Sequence, residues 1–112
     1  MSVRELRILS PTAILGYGFP EESFMRGIER KPDVIACDAG STDPGPYYLG
    51  SGKPFTDRAL VARDLSFMLV EGLRLGVPVI VGTAGGSGAA PHLEWCRGII
   101  EDIAREKALS FI

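Results

Sequence analysis

Two short apolar runs constrain this chain more than any other feature. Val34-Ile35-Ala36-Cys37 and Val77-Pro78-Val79-Ile80-Val81 are continuous rather than alternating. Such runs suit strands buried on both faces of a parallel sheet. Each is followed directly by a loop rich in glycine, proline and hydroxyl residues. The loop after the first run, Asp38 to Phe55, is far longer than the few residues that usually connect elements, and ordered loops of that length are usually functional. The loop after the second run is Gly82-Thr83-Ala84-Gly85-Gly86-Ser87-Gly88-Ala89-Ala90.

Helical periods separate the runs. Pro20 with Glu21 and Glu22 suits a helix start, and Lys31-Pro32 stops it after Phe24, Met25 and Ile28 have supplied its apolar face. Thr56 or Asp57 caps a second helix reaching Leu75. Val61, Leu65, Met68, Leu69, Gly72 and Leu73 form its stripe, and Gly76 then Pro78 end it. Pro91 opens a third helix with Leu93, Cys96, Ile100 and Ile103 inward, ending near Lys107. Leu6 to Leu9 reads as a first strand, which Thr12 to Leu15 extends after a break. Ala108 to Ile112 reads as a fourth.

This alternation predicts an α/β fold, a three-layer, Rossmann-like βαβαβαβ with a mostly parallel sheet of about four strands. Right-handed crossovers place every loop after a strand at one sheet edge, where ligands of open α/β sheets bind. The two unusual loops are therefore expected to meet. A terminal strand with nothing beyond it leaves an edge that must be covered. The expectation is that residues 1–112 form one domain, the front portion of a larger protein, with another subunit in a homo-oligomer as the other possible cover.

Composition narrows the class. The chain has 112 residues, 46% of them hydrophobic and 23% charged, with a formal net charge of -2. That is an ordinary globular composition. No basic stretch stands out in the sequence, so a nucleic-acid partner is not expected. No apolar run reaches the roughly 20 residues of a membrane span, and the charged N-terminus lacks an apolar signal core. A cytoplasmic location with no membrane partner follows as the expectation. Cys37 and Cys96, the only cysteines, read as buried thiols rather than a bridge.

The glycine-rich loop is the clearest motif. A strand, then glycines, then a helix N-terminus can present backbone amides to an anion. Gly82, Thr83, Gly85, Gly86, Ser87 and Gly88 are its candidate ligand-binding residues; the bland alternative is a flexible turn that lets helix and sheet pack tightly. Gly86-Ser87-Gly88 fails the dinucleotide fingerprint because Pro91 stands at the third glycine, and no Gly-Lys-Ser/Thr makes a P-loop. The expected partner is an anionic small molecule.

Asp38, at the end of its strand, is the leading candidate for acid–base or metal chemistry, with Asp43 as neighbour. Two carboxylates so placed can hold a divalent cation or split their pKa values; either can instead cap a turn through its own backbone. A divalent metal and a phosphate-containing ligand are thus the cofactor candidates. His92, in the first turn of the third helix, is the candidate base or electrophile, its alternative being a solvent-facing position. Ser41 and Thr42 could donate to a phosphate or carboxylate. Tyr17, Tyr47 and Tyr48 could wall a pocket or pack the loop onto the sheet. The Asp38-Ala39-Gly40-Ser41-Thr42 match to the phosphate turn of sugar kinases and actin-like ATPases is discounted, because Asp43-Pro44-Gly45-Pro46 forbids the strand that should follow.

Gly16-Tyr17-Gly18-Phe19, Asp38 through Gly50 (Asp-Ala-Gly-Ser-Thr-Asp-Pro-Gly-Pro-Tyr-Tyr-Leu-Gly) and Gly82 through Gly88 together resemble the N-terminal part of the acyclic terpene utilisation protein family. The resemblance spans most of this chain and only the front of a typical member. It implies a setting in bacterial breakdown of acyclic terpenoids and related acids, and it carries no agreed catalytic residues. The resulting expectation is a catabolic enzyme domain with an anion-binding glycine loop and a strand-end aspartate. The competing expectations are a non-catalytic ligand-binding or assembly module and an inactive fragment.

Overall fold

The structure, a computed structural model, describes residues 4–40 and 44–111. The chain is a mixed α/β fold on a three-stranded parallel sheet, ordered β1-β2-β3. β1 spans Ile8–Leu9, β2 Val34–Asp38 and β3 Val79–Gly82. The helices are α1 Glu21–Glu29, α2 Pro46–Ser51, α3 Arg58–Leu75 and α4 Ala90–Lys107.

Local chemistry sets the helix ends. Asp57 caps α3 by accepting from the amides of Ala59 (3.0 Å) and Leu60 (3.3 Å). Gly76, at φ 69°, ends it in the left-handed conformation that glycine adopts without a Cβ clash. α1 follows Pro20, opens with Glu21 and Glu22 and closes before Lys31. α4 carries Pro91 in its first turn, where a missing N–H costs nothing.

Register separates the two faces of the sheet. Leu9 pairs with Ile35 and Ile35 with Val79, while Cys37 pairs with Val81. This face meets the helices: Ile35 and Cys37 join Phe24 and Ile28 of α1, Leu65 and Met68 of α3, and Cys96, Ile99 and Ile103 of α4 in one core. Glycine brings helices and strands close. A Cβ on Gly27 would meet Leu9 Cδ1 at 2.5 Å, and one on Gly72 would meet Val79 Cγ2 at 2.5 Å. The other face carries Ile8, Val34, Ala36 and Ile80. Ile8 and Ile80 are 61% and 54% exposed, so no described helix covers it.

Several expectations need correction. A sheet numbered in chain order with right-handed crossovers puts α1 and α3 on the same side, so the described residues make two layers, one three-stranded sheet and one layer of helices, rather than three layers. Thr12 to Leu15 form no strand; Pro11 cannot pair, and the chain turns, with Leu15 N–H donating to Asp38 O at 2.9 Å. Residues 109–111 form no strand. Ala108 instead caps α4 in the left-handed conformation, and Leu109 N–H donates to Ala104 O. Leu93 and Leu73 are 54% and 37% exposed rather than core residues. No helix among the described residues is long and apolar enough to cross a membrane.

Candidate functional site

The two loops do meet at the carboxyl ends of β2 and β3. Ala39 N–H donates to Gly82 O at 2.8 Å, and Phe55 N–H donates to Gly85 O at 3.2 Å. A Cβ on Gly40 would sit 2.3 Å from Gly86 O and 2.6 Å from Thr83 Cγ2. Only glycine allows that approach. A cleft of about 410 Å3 lies between the loops, lined by Gly40, Pro44, Gly45, Leu49, Thr83, Gly86 and Ser87 among others.

The glycine loop is more tightly folded than its composition suggests. Thr83 is left-handed at φ 50°, and Gly85, Gly86 and Gly88 also have positive φ. Residues 84–86 form a 3-10 turn. Gly86 N–H donates to Thr83 O (2.9 Å), and Ser87 and Gly88 N–H both donate to Ala84 O. These amides are committed inside the loop rather than presented to a ligand. Thr83 and Ser87 bring hydroxyl groups to the lining. Among the described residues, no lysine, arginine or histidine lines the cleft.

Asp38 is half-buried, and its Oδ1 accepts Gly40 N–H at 2.8 Å. The carboxylate thus shapes the turn into the central loop, while its backbone oxygen holds Leu15. Asp43, Ser41 and Thr42 lie outside the described residues. Among the described residues no three His, Cys, Asp or Glu side chains gather as metal ligands would.

His92 is neither at the cleft nor in solvent. It is completely buried, with Gly85 packed so closely that a Cβ there would lie 2.6 Å from His92 Cβ. Its Nε2 lies 2.8 Å from Tyr48 O and 3.0 Å from Lys53 O. Both partners only accept, which assigns the proton to Nε2. Nδ1 is buried without a partner among the described residues. The imidazole ties α2 and the segment after it to the start of α4, so it positions one wall of the cleft.

The three tyrosines divide. Tyr48 is half-buried, its ring 5.4 Å from Phe55 and 5.1 Å from Tyr47. Tyr47 is 59% exposed and its hydroxyl accepts from Lys53 Nζ at 3.2 Å. Tyr17 is 64% exposed, 6.4 Å from Phe55. They form an aromatic ridge over the central loop, and none lines the cleft.

Sequence reasoning missed Asp64. This carboxylate is fully buried. Oδ2 accepts the amides of Gly16 (2.8 Å) and Gly18 (3.1 Å), and Oδ1 pairs with Arg63 Nη1 at 2.9 Å. Arg63 stacks on Phe19 and Phe67 at 4.6 and 4.8 Å. Asp64 therefore pins the 16–18 turn beside the sheet edge. The signal was a charge inside the Val61–Leu65–Met68 stripe. Cys37 and Cys96 are free and buried. Burial, with Asp64, Cys96 and Asp38 adding, pushes the Cys37 thiol up to about 12; burial raises Cys96 too. Both thiols stay protonated at neutral pH and are poor nucleophiles.

What fold and site define together is a mixed α/β domain with a cleft at the carboxyl edge of a parallel sheet. No known protein family, curated protein or solved structure matches the chain.

Proposed function

We propose that this chain is the ligand-binding part of a small-molecule catabolic enzyme acting on an acyclic terpenoid or related small carboxylic acid. The observation that carries the reading is the junction of the loops after β2 and β3 around one cleft, at the position where open α/β sheets take ligands. The acid's carboxylate would be held by the Thr83 and Ser87 hydroxyls, with Ser41 and Thr42 as further candidates. Its hydrocarbon part would lie toward Leu49, Pro44 and Pro46. Asp38, with Asp43, is the proposed acid–base or metal-holding group.

The finer fold reading belongs to the same proposal. A fourth parallel strand beside β3, which residues 109–111 do not themselves form, would complete the Rossmann-like βαβαβαβ. In support, α4 leaves β3 as a crossover helix does and packs on α3, and the outer edge of β3 pairs with no described strand.

A second reading has its own support. His92 is spent on two backbone carbonyls, which leaves Asp38 without a histidine partner. A module that binds but does not catalyse fits that arrangement. A thermal-shift series with short and branched carboxylic acids, acyl thioesters, phosphate and divalent metals tests the reading, since a ligand of the folded state raises Tm. A shift by carboxylic acids that survives Asp38→Asn, with turnover lost, supports the enzyme. A shift that survives with no turnover in either protein supports the module. A cooperative melt that none of these ligands moves refutes the site.

A further inference from the structure

A cavity of about 720 Å3 shares no lining residue with the cleft and runs along the β1 edge of the sheet. Ile8 and Leu9 of β1 form one side; Ser23, Arg26 and Gly27 of α1, with Arg30 at its C-cap, form the other. These positions follow i, i+3, i+4, i+7, a single helix face. Two features make this groove unusual. Among the described residues β1 pairs only with β2, and Arg7 O accepts Asp33 N–H on the β2 side, so strand alternation directs the Ile8 amide and carbonyl outward. The groove is also basic. Arg7 joins Arg26 and Arg30 in its lining. Arg7 meets Glu5 at 3.3 Å, whereas Arg26 and Arg30 are exposed and form no ion pair among the described residues.

We propose that this groove docks an extended acidic segment of a partner protein, which adds as a strand to β1 and lays its carboxylates on Arg26 and Arg30. The spacing supports an extended chain. Two residues four apart on a helix are separated by about 6 Å along its axis. Side chains at i and i+2 of a strand share a face and lie about 6.6 Å apart. Alternate acidic residues thus match the two guanidinium groups, while the residues between them meet the exposed Ile8 side. Main-chain pairing with an open edge is an established recognition mode. Charge excludes the simplest rival, a second copy of this chain. Two-fold pairing through β1 would set Arg26 and Arg30 of each copy beside the same residues of the other, and like charges in an interface are strongly unfavourable.

The test is fluorescence anisotropy of the intact chain with a labelled heptapeptide of alternating glutamate and valine. An isomer with its glutamates in one block, and a lysine–valine peptide, are the controls. The alternating acidic peptide should bind saturably. Affinity should fall at least tenfold in Arg26→Gln/Arg30→Gln, whose cooperative melt verifies folding, and should weaken as salt rises from 50 to 300 mM. Slowed hydrogen exchange at the Ile8 amide on binding would mark strand addition, which surface charge alone does not produce. Equal binding of the blocked isomer, displacement by inorganic phosphate at the same concentration, unchanged affinity in the double variant, or no saturable binding would each overturn the proposal. So would a concentration-dependent dimer abolished by Arg30→Gln.

Discussion

Gly40→Ala should destabilise the protein because of where the two loops touch. The added Cβ would stand 2.3 Å from Gly86 O and 2.6 Å from Thr83 Cγ2. The threonine methyl can rotate away; the carbonyl cannot. Gly86 is held by its own N–H to Thr83 O, and it sits so near Phe55 that a Cβ on Gly86 would meet Phe55 Cβ at 2.6 Å. Relief therefore requires the backbone of one loop to shift by about 1 Å, and overpacking of this kind costs roughly 1–3 kcal/mol. Gly40 is not in the left-handed region, so the substitution also restricts the unfolded chain, a gain of about 0.4–1 kcal/mol where the native conformation suits alanine. The net expectation is a loss of about 1–2 kcal/mol, or roughly 4–10 °C in Tm for a chain of this size. Gly50→Ala is the internal control, since nothing lies within 4 Å of its added Cβ. Urea melts of both variants decide the matter. If Gly40→Ala equals Gly50→Ala within about 0.5 kcal/mol, the loops are not in contact as described.

Three further expectations rest on single residues. Asp64→Ala leaves the amides of Gly16 and Gly18 and the Arg63 guanidinium without their acceptor; breaking a buried charged network costs about 3–5 kcal/mol, readable by chemical denaturation. Gly98→Ala, inside α4 with open space around the new Cβ, should stabilise by about 0.5–1 kcal/mol through helix propensity, seen as a raised Tm. Stability should fall as pH rises from about 9, because the unfolded Cys37 thiol ionises there while the folded one stays protonated to about 12. The slope is at most about 1.4 kcal/mol per pH unit for this thiol, and Cys37→Ala should flatten it in melts between pH 8 and 11.

The sequence made the long helices and the central strand legible. Asp57 as cap, Gly76 as terminator and the stripe between them bound α3 to within a residue or two, because capping and periodicity are local physics. The meeting of the two loops was also legible, since it follows from parallel strands and crossover handedness. α2 was not. Pro46-Tyr47-Tyr48-Leu49-Gly50-Ser51 has poor helix formers, and the turn is braced by contacts from outside it, His92 to Tyr48 O above all. His92 itself reads as a polar residue at a helix start; only the fold reveals that two backbone carbonyls surround it. Asp64 was hidden for the opposite reason, as a charge within an apolar stripe whose partners lie some 46 to 48 residues earlier in the chain. The basic groove escaped notice because Arg7, Arg26 and Arg30 are scattered in sequence and converge only when α1 folds onto β1.

Chemically, the cleft offers hydroxyl groups and a short apolar wall, without a cationic side chain among the described residues of its lining. Such a lining would suit the proposed ligand, a small carboxylic acid whose bulk is hydrocarbon. A triphosphate or a polyanion would meet too few donors there, since the glycine-loop amides of residues 86–88 are already bonded.

The most direct measurement is a 15N amide titration of the intact chain with a branched short-chain carboxylic acid. The account predicts saturable shifts at Gly40, Leu49, Thr83, Gly86 and Ser87, lost in Gly86→Val while the α3 and α4 amides keep their positions. Saturable shifts confined to other parts of the molecule, or none at any of these five amides in the folded protein, would contradict the assignment of the cleft as the ligand site.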